Sequence, residues 1–364
     1  MDRRRGSVLT RLHLDGPLLL GTAILCAIGL VVLYSAGDQG RGIMLAQGGR
    51  ILFGLLIMVT IAQIHPQILA RMGFGLYCLG VFLLGAVLLV GMGKKGAERW
   101  LDLGVFSFQP SEIMKLAMPL MAAAFLEDKA LPPDLRRTLF LLVLIALPTA
   151  LILKQPDLGT AILISSSGLA VLFLAGLSWR FILVTVALGL GAAPALWHTL
   201  HEYQRQRILT LFDPDRDPLG TGYHIIQSRI AVGSGGLHGK GWLHGTQSHL
   251  EFLPERKTDF IFAVFCEEFG FLGVLGLLAA YAFVIHRALT IAAQAQDSFG
   301  RLLAGSLGLI LFVYVFVNMG MVTGQLPVVG VPLPFVSFGG TSLVTLMAGF
   351  GLLMSIHTHR RLLS

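Results

Sequence analysis

The chain has 364 residues, of which 55% are hydrophobic and only 13% are charged, and its formal net charge is +7. Soluble domains carry charge on about a quarter of their residues. This composition, with a mean hydropathy of +0.77, therefore excludes an ordinary soluble protein and indicates an integral membrane protein.

Ten stretches of the sequence are long and apolar enough to cross a bilayer, which takes about 20 mostly apolar residues per helix. We therefore predict an all-α integral membrane protein, a polytopic bundle of about ten transmembrane helices. Residues 1–364 form one transmembrane domain, with a large extracytoplasmic loop over residues 199–258. The predicted spans are residues 16–36, 46–64, 68–93, 111–127, 138–154, 157–177, 179–198, 259–286, 302–323 and 341–357.

The distribution of Lys and Arg predicts the orientation, because short cytoplasmic loops carry an excess of both residues. With the N-terminus inside, the inner segments hold thirteen of them and the short outer loops hold six. We therefore expect a multi-pass protein with both termini in the cytoplasm and the long loop outside. Much of the positive charge belongs to this inner set, so it does not indicate nucleic-acid binding. The inner set is Arg3, Arg4, Arg5, Arg11, Arg71, Lys129, Arg136, Arg137, Arg180, Arg287, Arg301, Arg360 and Arg361, and the outer set is Arg41, Arg50, Lys94, Lys95, Arg99 and Lys154.

The first two spans and the three cysteines give no indication of a reactive site. The first two spans are almost purely apolar, so we assign them a scaffold role. In the loop over residues 92–110, aromatic side chains such as Trp100 favour the membrane interface. Cys26, Cys78 and Cys266 lie in separate spans, which indicates neither a disulfide framework nor a metal cluster.

The fourth span begins with two charged residues, Glu112 and Lys115, which lie three positions apart and therefore on one helix face. Burying either charge alone in hydrocarbon is costly, so we expect them to pair. The pair is either a purely structural ion pair or the lining of a polar cavity that opens outward. Asp157, at the outer mouth of the sixth span, can likewise cap its helix or line that cavity.

The long outer loop is rich in positive charge, against the usual bias toward the cytoplasmic side. An anionic ligand would account for this charge, and a solvated loop surface is the alternative. The glycine-rich run over residues 233–241 could cradle phosphate with backbone N–H groups, although it lacks the pattern of a P-loop. The candidate binding residues in this region are Arg205, Arg207, Gln227, Arg229, Lys240, Arg256 and Lys257.

Asp259 stands where this polar loop enters the eighth span. An acid at that position can simply cap the helix and is stabilised by the helix dipole. The charged neighbours and two acids further along, Glu267 and Glu268, favour a functional site instead. Adjacent residues point to different helix faces, so at most one of those glutamates shares a cavity with Asp259.

The segment over residues 331–342 is irregular, because its prolines and paired glycines oppose a helix. Non-helical backbone at membrane depth is tolerated only where protein or water covers it. Together with Asn318 and Gln325, we interpret the segment as a polar re-entrant lining opposite Asp259, with Ser337 among the cavity residues. The alternative is an ordinary surface connection.

Four of these runs together resemble the signature segments of the SEDS family, the shape, elongation, division and sporulation proteins. The resemblance covers nearly the whole chain, and the four motifs occur in the expected order. The compact N-terminus and the short C-terminus favour the rod-shape branch of the family over its division branch. The matching runs are residues 108–115, 155–160, 252–263 and 333–342.

The resemblance implies a peptidoglycan glycosyltransferase that polymerises lipid II, a disaccharide-pentapeptide on undecaprenyl pyrophosphate, at the outer face of the bacterial cytoplasmic membrane. It implies that Asp259 is the catalytic residue and that Glu112 and Lys115 are the polar pair of a central cavity. The implied partners are lipid II, membrane lipids, a class B penicillin-binding protein that acts as transpeptidase, and other proteins of the elongation complex. No cofactor is implied, although a divalent cation such as Mg²⁺ or Mn²⁺ could neutralise the pyrophosphate.

Two other functions fit parts of the pattern. A flippase that moves a lipid-linked precursor across the membrane would line its path with the same charges. No internal repeat is visible, however, and the polar residues gather in the outer half of the predicted bundle. A non-catalytic scaffold that recruits the penicillin-binding protein would leave Asp259 and the outer cations without a role.

Overall fold

The computed structural model shows a bundle of helices packed around a common apolar core. The residues that the structure describes are 12–90, 92–94, 97–102, 107–181, 183–184, 187–188, 191, 197–198, 202–217, 220–246 and 255–359. The helices are α1 (Gly16–Ala36), α2 (Arg41–Ala62), α3 (Pro66–Val90), α4 (Pro110–Leu126), α5 (Leu135–Lys154), α6 (Leu158–Leu174), α7 (Glu202–Phe212), α8 (Thr221–Ser234), α9 (Ile261–Ala293), α10 (Ser298–Val322) and α11 (Thr341–Thr358).

Seven of the described helices are long and apolar enough to cross a membrane, namely α1, α2, α3, α5, α9, α10 and α11, and α6 is a shorter apolar helix. The prediction of an all-α membrane bundle is confirmed, and nine of the ten predicted spans have a helix in their place. The predicted span over residues 179–198 lies largely outside the described residues, as do the arginines at positions 3–5 and 360–361. The count of ten spans and the position of the termini therefore stay predictions.

A small antiparallel sheet follows α3, where the sequence analysis predicted only an interfacial loop. Its strands are β1 (Met92–Lys94), β2 (Ala97–Asp102) and β3 (Ser107–Phe108), with β2 in the middle. Gly93 pairs with Glu98 in the first ladder and Leu101 pairs with Phe108 in the second. The sheet links the end of α3 to the start of α4.

α9 is broken at Gly270, where a φ of 62° and a ψ of −165° interrupt the helix. Glycine adopts this conformation readily, and a Cβ here would overlap the backbone of Gly239. The glycine-rich run of the outer loop packs into the break, and its Lys240 N–H donates to the Glu267 carbonyl at 2.9 Å. The Gly241 N–H likewise donates to the Glu268 carbonyl at 3.0 Å, so these two backbone donors hold the loop to the helix and are not available to a phosphate.

The irregular segment over residues 331–338, called here the enclosed segment, lies inside the bundle between α10 and α11. Its apolar side chains, such as Phe335, are buried, and Tyr281 of α9 donates to the Pro334 carbonyl at 2.6 Å. Gly29 of α1 permits the close approach, because a Cβ there would lie 2.6 Å from the Phe335 carbonyl oxygen. Protein therefore covers this non-helical backbone, and the alternative of a surface connection is wrong.

Candidate active site

Asp259 lies on a tight turn immediately before α9, whose N-cap is Phe260. The turn is closed by the N–H groups of Thr258 and Phe260, which donate to the Glu255 carbonyl at 3.0 and 3.3 Å. Asp259 itself is only partly buried. The carboxylate is therefore not at the capping position that the simplest interpretation gave it, and the residue is partly exposed.

The enclosed segment lies directly against this turn. The Phe338 N–H donates to the Lys257 carbonyl at 2.8 Å, and the Ser337 hydroxyl donates to the Thr258 carbonyl at 2.6 Å. The segment is therefore opposite the turn of Asp259, as predicted from its prolines and glycines.

The two cations of the turn have different environments. Arg256 is buried and forms an ion pair of 2.5 Å with Asp38, which lies between α1 and α2. Lys257 is partly buried and has no ion-pair partner among the residues that the structure describes. Arg256 therefore fixes the turn to the connection between α1 and α2, whereas the Lys257 ammonium is available to an anion.

Glu112 and Lys115 form the predicted ion pair on α4, with 2.8 Å between Lys115 Nζ and Glu112 Oε1. Both residues are buried, and the Lys115 ammonium also lies 5.6 Å from the centre of the Tyr314 ring. The second carboxylate oxygen of Glu112, Oε2, has no hydrogen-bond partner in the part of the chain that the structure describes. A buried carboxylate oxygen without a partner is costly, which favours a binding role over a purely structural one.

A cavity of about 620 Å³ lies between α2, α4 and α11, with Glu112 and Arg50 in its walls. The Arg50 guanidinium lies 4.2 Å from the centre of the Phe338 ring, so the cavity adjoins the enclosed segment. The apolar part of its lining includes Phe53, Ile57, Ile113, Leu116, Val344 and Ala348.

Arg50 is a residue that the sequence analysis missed. It was counted among the outer-loop cations, and its span was assigned a scaffold role. The structure places Arg50 inside α2, well beyond the first turn. The available signal was an arginine within an apolar run, which by default indicates a functional position in a membrane helix.

Asp157 caps α6, because its Oδ1 accepts a hydrogen bond from the Thr160 N–H at 3.1 Å. Its other oxygen accepts from the Gln109 amide at 3.2 Å, and Gln109 is the N-cap of α4. Of the two interpretations of Asp157, capping is the one that the structure shows. The residue joins the starts of two helices and places α4, with Glu112, relative to α6.

The two glutamates of α9 are both buried and have separate partners. Glu267 accepts hydrogen bonds from Lys240 Nζ at 2.7 Å and from the Thr246 N–H at 2.9 Å. Glu268 accepts one from the Ser35 hydroxyl of α1. Lys240, a predicted ligand for an anion, is therefore engaged in holding the outer loop to α9.

The arginines of the outer loop are also engaged by protein groups. Arg229 donates to the Gly324 carbonyl at 2.8 Å, beside the end of α10. Arg205 donates to the Trp197 carbonyl at 2.9 Å. The remaining candidates, Arg207 on α7 and Gln227 on α8, are partly buried.

His224 is a second residue that the sequence analysis missed. Its ring stacks on Phe260 with 5.7 Å between centroids, one residue beyond Asp259. Burial lowers the pKa of His224 below its ordinary value, although the charges of Glu255 and Asp217 act in the opposite direction. No local sequence signal indicates this contact, because 36 positions separate the two rings.

Metal binding finds no support in the side chains that the structure describes. Among them, no group of three or more His, Cys, Asp or Glu residues is placed to hold an ion. The three cysteines are free, with Cys26 and Cys266 buried. The donor set around Asp259 therefore does not fit a metal held by the described residues alone.

Comparisons with known proteins agree with one another. Residues 17–362 match the profile of the cell cycle protein family that includes FtsW, RodA and SpoVE. The peptidoglycan glycosyltransferase MrdB of Escherichia coli (strain K12) is 59% identical over 355 residues, which cover 97% of this chain and 96% of that protein. One chain in the solved structure of a peptidoglycan synthase complex that coordinates polymerization and crosslinking has a TM-score of 0.84 and 32% identity, over 95% of this chain and 99% of its own. The crystal structure of the rod shape determining protein RodA of Thermus thermophilus has a TM-score of 0.72 and 30% identity, over 94% of this chain and 96% of its own.

Proposed function

The chain belongs to the SEDS family, the group that includes FtsW, RodA and SpoVE, and we propose that it polymerises lipid II with Asp259 as its catalytic base. It is a peptidoglycan glycosyltransferase, the activity for which its relative in Escherichia coli is named. The observation that carries the assignment of the base is the placement of Asp259. The residue is partly exposed, its turn is held by the enclosed segment, and that segment adjoins the cavity of Arg50 and Glu112.

The chemistry needs one base. A hydroxyl of the acceptor sugar attacks the anomeric carbon of the donor and gives its proton to the Asp259 carboxylate. The new carbon–oxygen bond forms as the bond to the pyrophosphate breaks, and the pyrophosphate leaves with its electron pair. An α-linked donor thus gives a β-linked product in a single displacement with inversion. Unlike a glycosidase, the enzyme needs no second carboxylate as an acid, because pyrophosphate is already a good leaving group.

The leaving group needs positive charge, and the structure favours two cations for this task. Lys257 lies two residues before Asp259 with no ion-pair partner among the described residues, and Arg50 lines the cavity. Lys115 is less available because Glu112 holds its ammonium. Cations that meet the developing charge of a leaving group lower the barrier without reorganising. No step is assigned to a metal.

The apolar lining of the cavity suits the lipid part of the substrate. The walls that α2 and α11 contribute include Phe53, Ile57 and Val344 beside two threonines of α11, whereas Arg50 and Glu112 are charged. A polyprenyl chain would bury its apolar surface there and keep its charged head near Arg50. This arrangement supports a lipid-linked sugar over a soluble one.

A class B penicillin-binding protein is the partner that we propose. The solved complex that resembles this chain coordinates polymerization with crosslinking, and crosslinking is a second activity. A polymerase and a transpeptidase in one assembly would pass the glycan directly between them. We further propose a place in the elongation machinery of the cytoplasmic membrane, with both termini inside and Asp259 facing outward.

Two measurements on the purified chain distinguish a polymerase from a flippase. The purified full-length chain is given labelled lipid II in detergent, with and without its penicillin-binding partner, and the products are resolved by length. A polymerase yields glycan strands with β-linkages without any membrane to cross. If no polymer forms with the partner present, while the chain moves lipid II between the leaflets of vesicles, the flippase is correct and the proposal fails.

A further inference from the structure

We propose that Asn318 is a positioning residue for the reaction, because its side chain holds the main chain of Asp259 in place. The inference rests on the proposed function, in which Asp259 is the base of a peptidoglycan polymerase. Asn318 lies on α10 and is completely buried.

The amide of Asn318 makes two hydrogen bonds at once. Its Nδ2 donates to the Asp259 carbonyl at 2.9 Å and to the Val331 carbonyl at 2.7 Å. One side chain therefore joins the turn that carries the base to the first residue of the enclosed segment. Both distances are in the usual range for a strong N–H···O bond.

The Asn318 contact completes a row of three. The two carbonyls before that of Asp259 accept hydrogen bonds from Phe338 and Ser337 of the enclosed segment. Three successive carbonyls of the turn are thus held by three donors. Asn318 differs from the other two because it lies on a helix, so it anchors the row to the centre of the bundle.

A residue kept only for stability would not bury a polar atom without a hydrogen-bond partner. The other amide atom of Asn318, Oδ1, has no hydrogen-bond partner in the described part of the chain. Burying an unpartnered acceptor is unfavourable, and an apolar side chain of similar size would avoid it. Neighbouring buried positions on α10, such as Val315 and Met321, are apolar. The two hydrogen bonds that Nδ2 donates are therefore the reason for an asparagine at this position.

The position of the Asp259 backbone matters for the rate. Asp259 precedes both α9 and its N-cap Phe260, so its main chain belongs to the turn and not to the helix. A base must lie within hydrogen-bond reach of the proton that it takes, and a displacement of about 1 Å can lower a rate by about 100-fold. Removing the anchor should therefore affect the chemical step more than substrate binding.

The test is Asn318→Leu, which removes both N–H donors and keeps the number and branching of the side-chain heavy atoms. We expect kcat for lipid II to fall by about 10- to 100-fold, with KM changed by no more than about two-fold. The matched control is Ser306→Ala. Ser306 lies on the same helix, is equally buried, and donates to the Ser167 carbonyl of α6 at 2.9 Å. It loses the same kind of interhelical bond far along α10 from Asp259, and we expect its kcat to stay within about two-fold of wild type.

Three results would overturn the inference. These are an Asn318→Leu enzyme that keeps more than half of the wild-type kcat, a loss that lies in KM alone, or an equal fall of kcat in Ser306→Ala. If Asn318→Leu does not fold, Ser337→Ala decides, because it removes the neighbouring donor of the row. An unchanged kcat there also rejects the inference. A wild-type chain that fails to polymerise lipid II would instead reject the proposed function itself.

Discussion

Two buried carboxylates, Asp15 near the start of α1 and Glu112 at the Asp259 end of the bundle, differ in how many of their oxygens have partners. Both oxygens of Asp15 have partners, whereas only one oxygen of Glu112 has one among the described residues. Asp15 caps α1 through the Leu18 N–H at 2.9 Å, and it pairs with Arg287 of α9 at 2.5 Å. His357 of α11 lies 3.2 Å from the same carboxylate. Glu112, in contrast, binds Lys115 and leaves Oε2 without a partner among the described residues.

The difference distinguishes a carboxylate that stabilises the fold, Asp15, from one that can bind a ligand, Glu112. Asp15 joins three helices and has no oxygen left for a ligand, so its surroundings are complete. Glu112 faces a cavity of about 620 Å³ with an oxygen unsatisfied, which lowers stability and leaves binding capacity. Polar groups at a binding site are commonly kept at the expense of stability. The comparison therefore predicts activity effects at the Asp259 end and stability effects at the N-terminal end.

The largest effect is expected for Asp259→Asn. The amide keeps the shape of the side chain but cannot accept the proton, so polymerisation of lipid II should fall by about 10²- to 10⁴-fold. The melting temperature in detergent should fall by less than it does when a helix-capping carboxylate is lost, because Phe260 and not Asp259 is the N-cap of α9. Gel electrophoresis of the polymer formed from labelled lipid II measures the rate of polymerisation.

The matched control for that experiment is Asp297→Asn at the other end of the bundle. Asp297 caps α10 through the Gly300 N–H at 2.7 Å, so its loss should lower stability and leave the rate per folded molecule unchanged. Equal rates of polymerisation by wild type and Asp259→Asn would show that Asp259 is not the catalytic base.

The second largest effect is expected for Lys115→Met. It leaves the buried Glu112 carboxylate without its cation, which should lower the free energy of unfolding by about 3–5 kcal/mol. The double variant Glu112→Gln with Lys115→Met removes both charges and should recover much of that loss. Its activity should stay low, because the cavity has lost the Glu112 carboxylate. Denaturation followed by tryptophan fluorescence gives the stabilities, and full activity in the stable double variant would contradict a binding role.

The sequence predicted the bundle well because span composition is a local property. Apolar runs of about 20 residues need no tertiary information, and the i, i+3 spacing of Glu112 and Lys115 likewise gave their pairing. The irregular segment was placed opposite Asp259 from its prolines and glycines together with Asn318 and Gln325. Each of these inferences depends on residues that are close in the sequence or on the properties of a hydrocarbon environment.

The missed features depend on residues that are far apart in the sequence. Arg256 pairs with Asp38 across 218 positions, so its engagement could not be inferred from its place beside Asp259. Lys240 and the glycines around it bind the break in α9, and that break follows from a backbone conformation at Gly270. Periodicity and composition carry no information about such contacts, which is why six of the seven Lys and Arg residues of the loop were interpreted as ligand candidates.

A smaller effect, on stability alone, is expected for Asp15→Asn. The change removes the charged acceptor of Arg287 and should lower the free energy of unfolding by about 2 kcal/mol. Burial raises the pKa of Asp15, but the hydrogen bonds from Arg287 and Leu18 outweigh it, so the folded pKa lies below the ordinary 3.8. The stabilisation is therefore present above pH 3.8 and is lost as the pH falls through the folded value. Thermal melts should show this acid loss in wild type but not in the variant, at equal polymerisation rates per folded molecule.

The smallest effect is expected at His224, which stacks on Phe260 beside the catalytic turn. Burial lowers its pKa although Glu255 and Asp217 act to raise it, so the folded state prefers the neutral ring. The stabilisation is complete above the ordinary value of 6.5 and is lost as the pH falls through the lower folded value. Between pH 7 and pH 5, wild type should therefore lose about 1–2 °C of melting temperature relative to His224→Phe, which keeps the aromatic stack without the titration. Since Tyr223 also contacts the ring edge, Tyr223→Phe serves as a control that keeps His224. If His224→Phe and wild type show the same pH dependence, the charge state of this ring does not act on the turn.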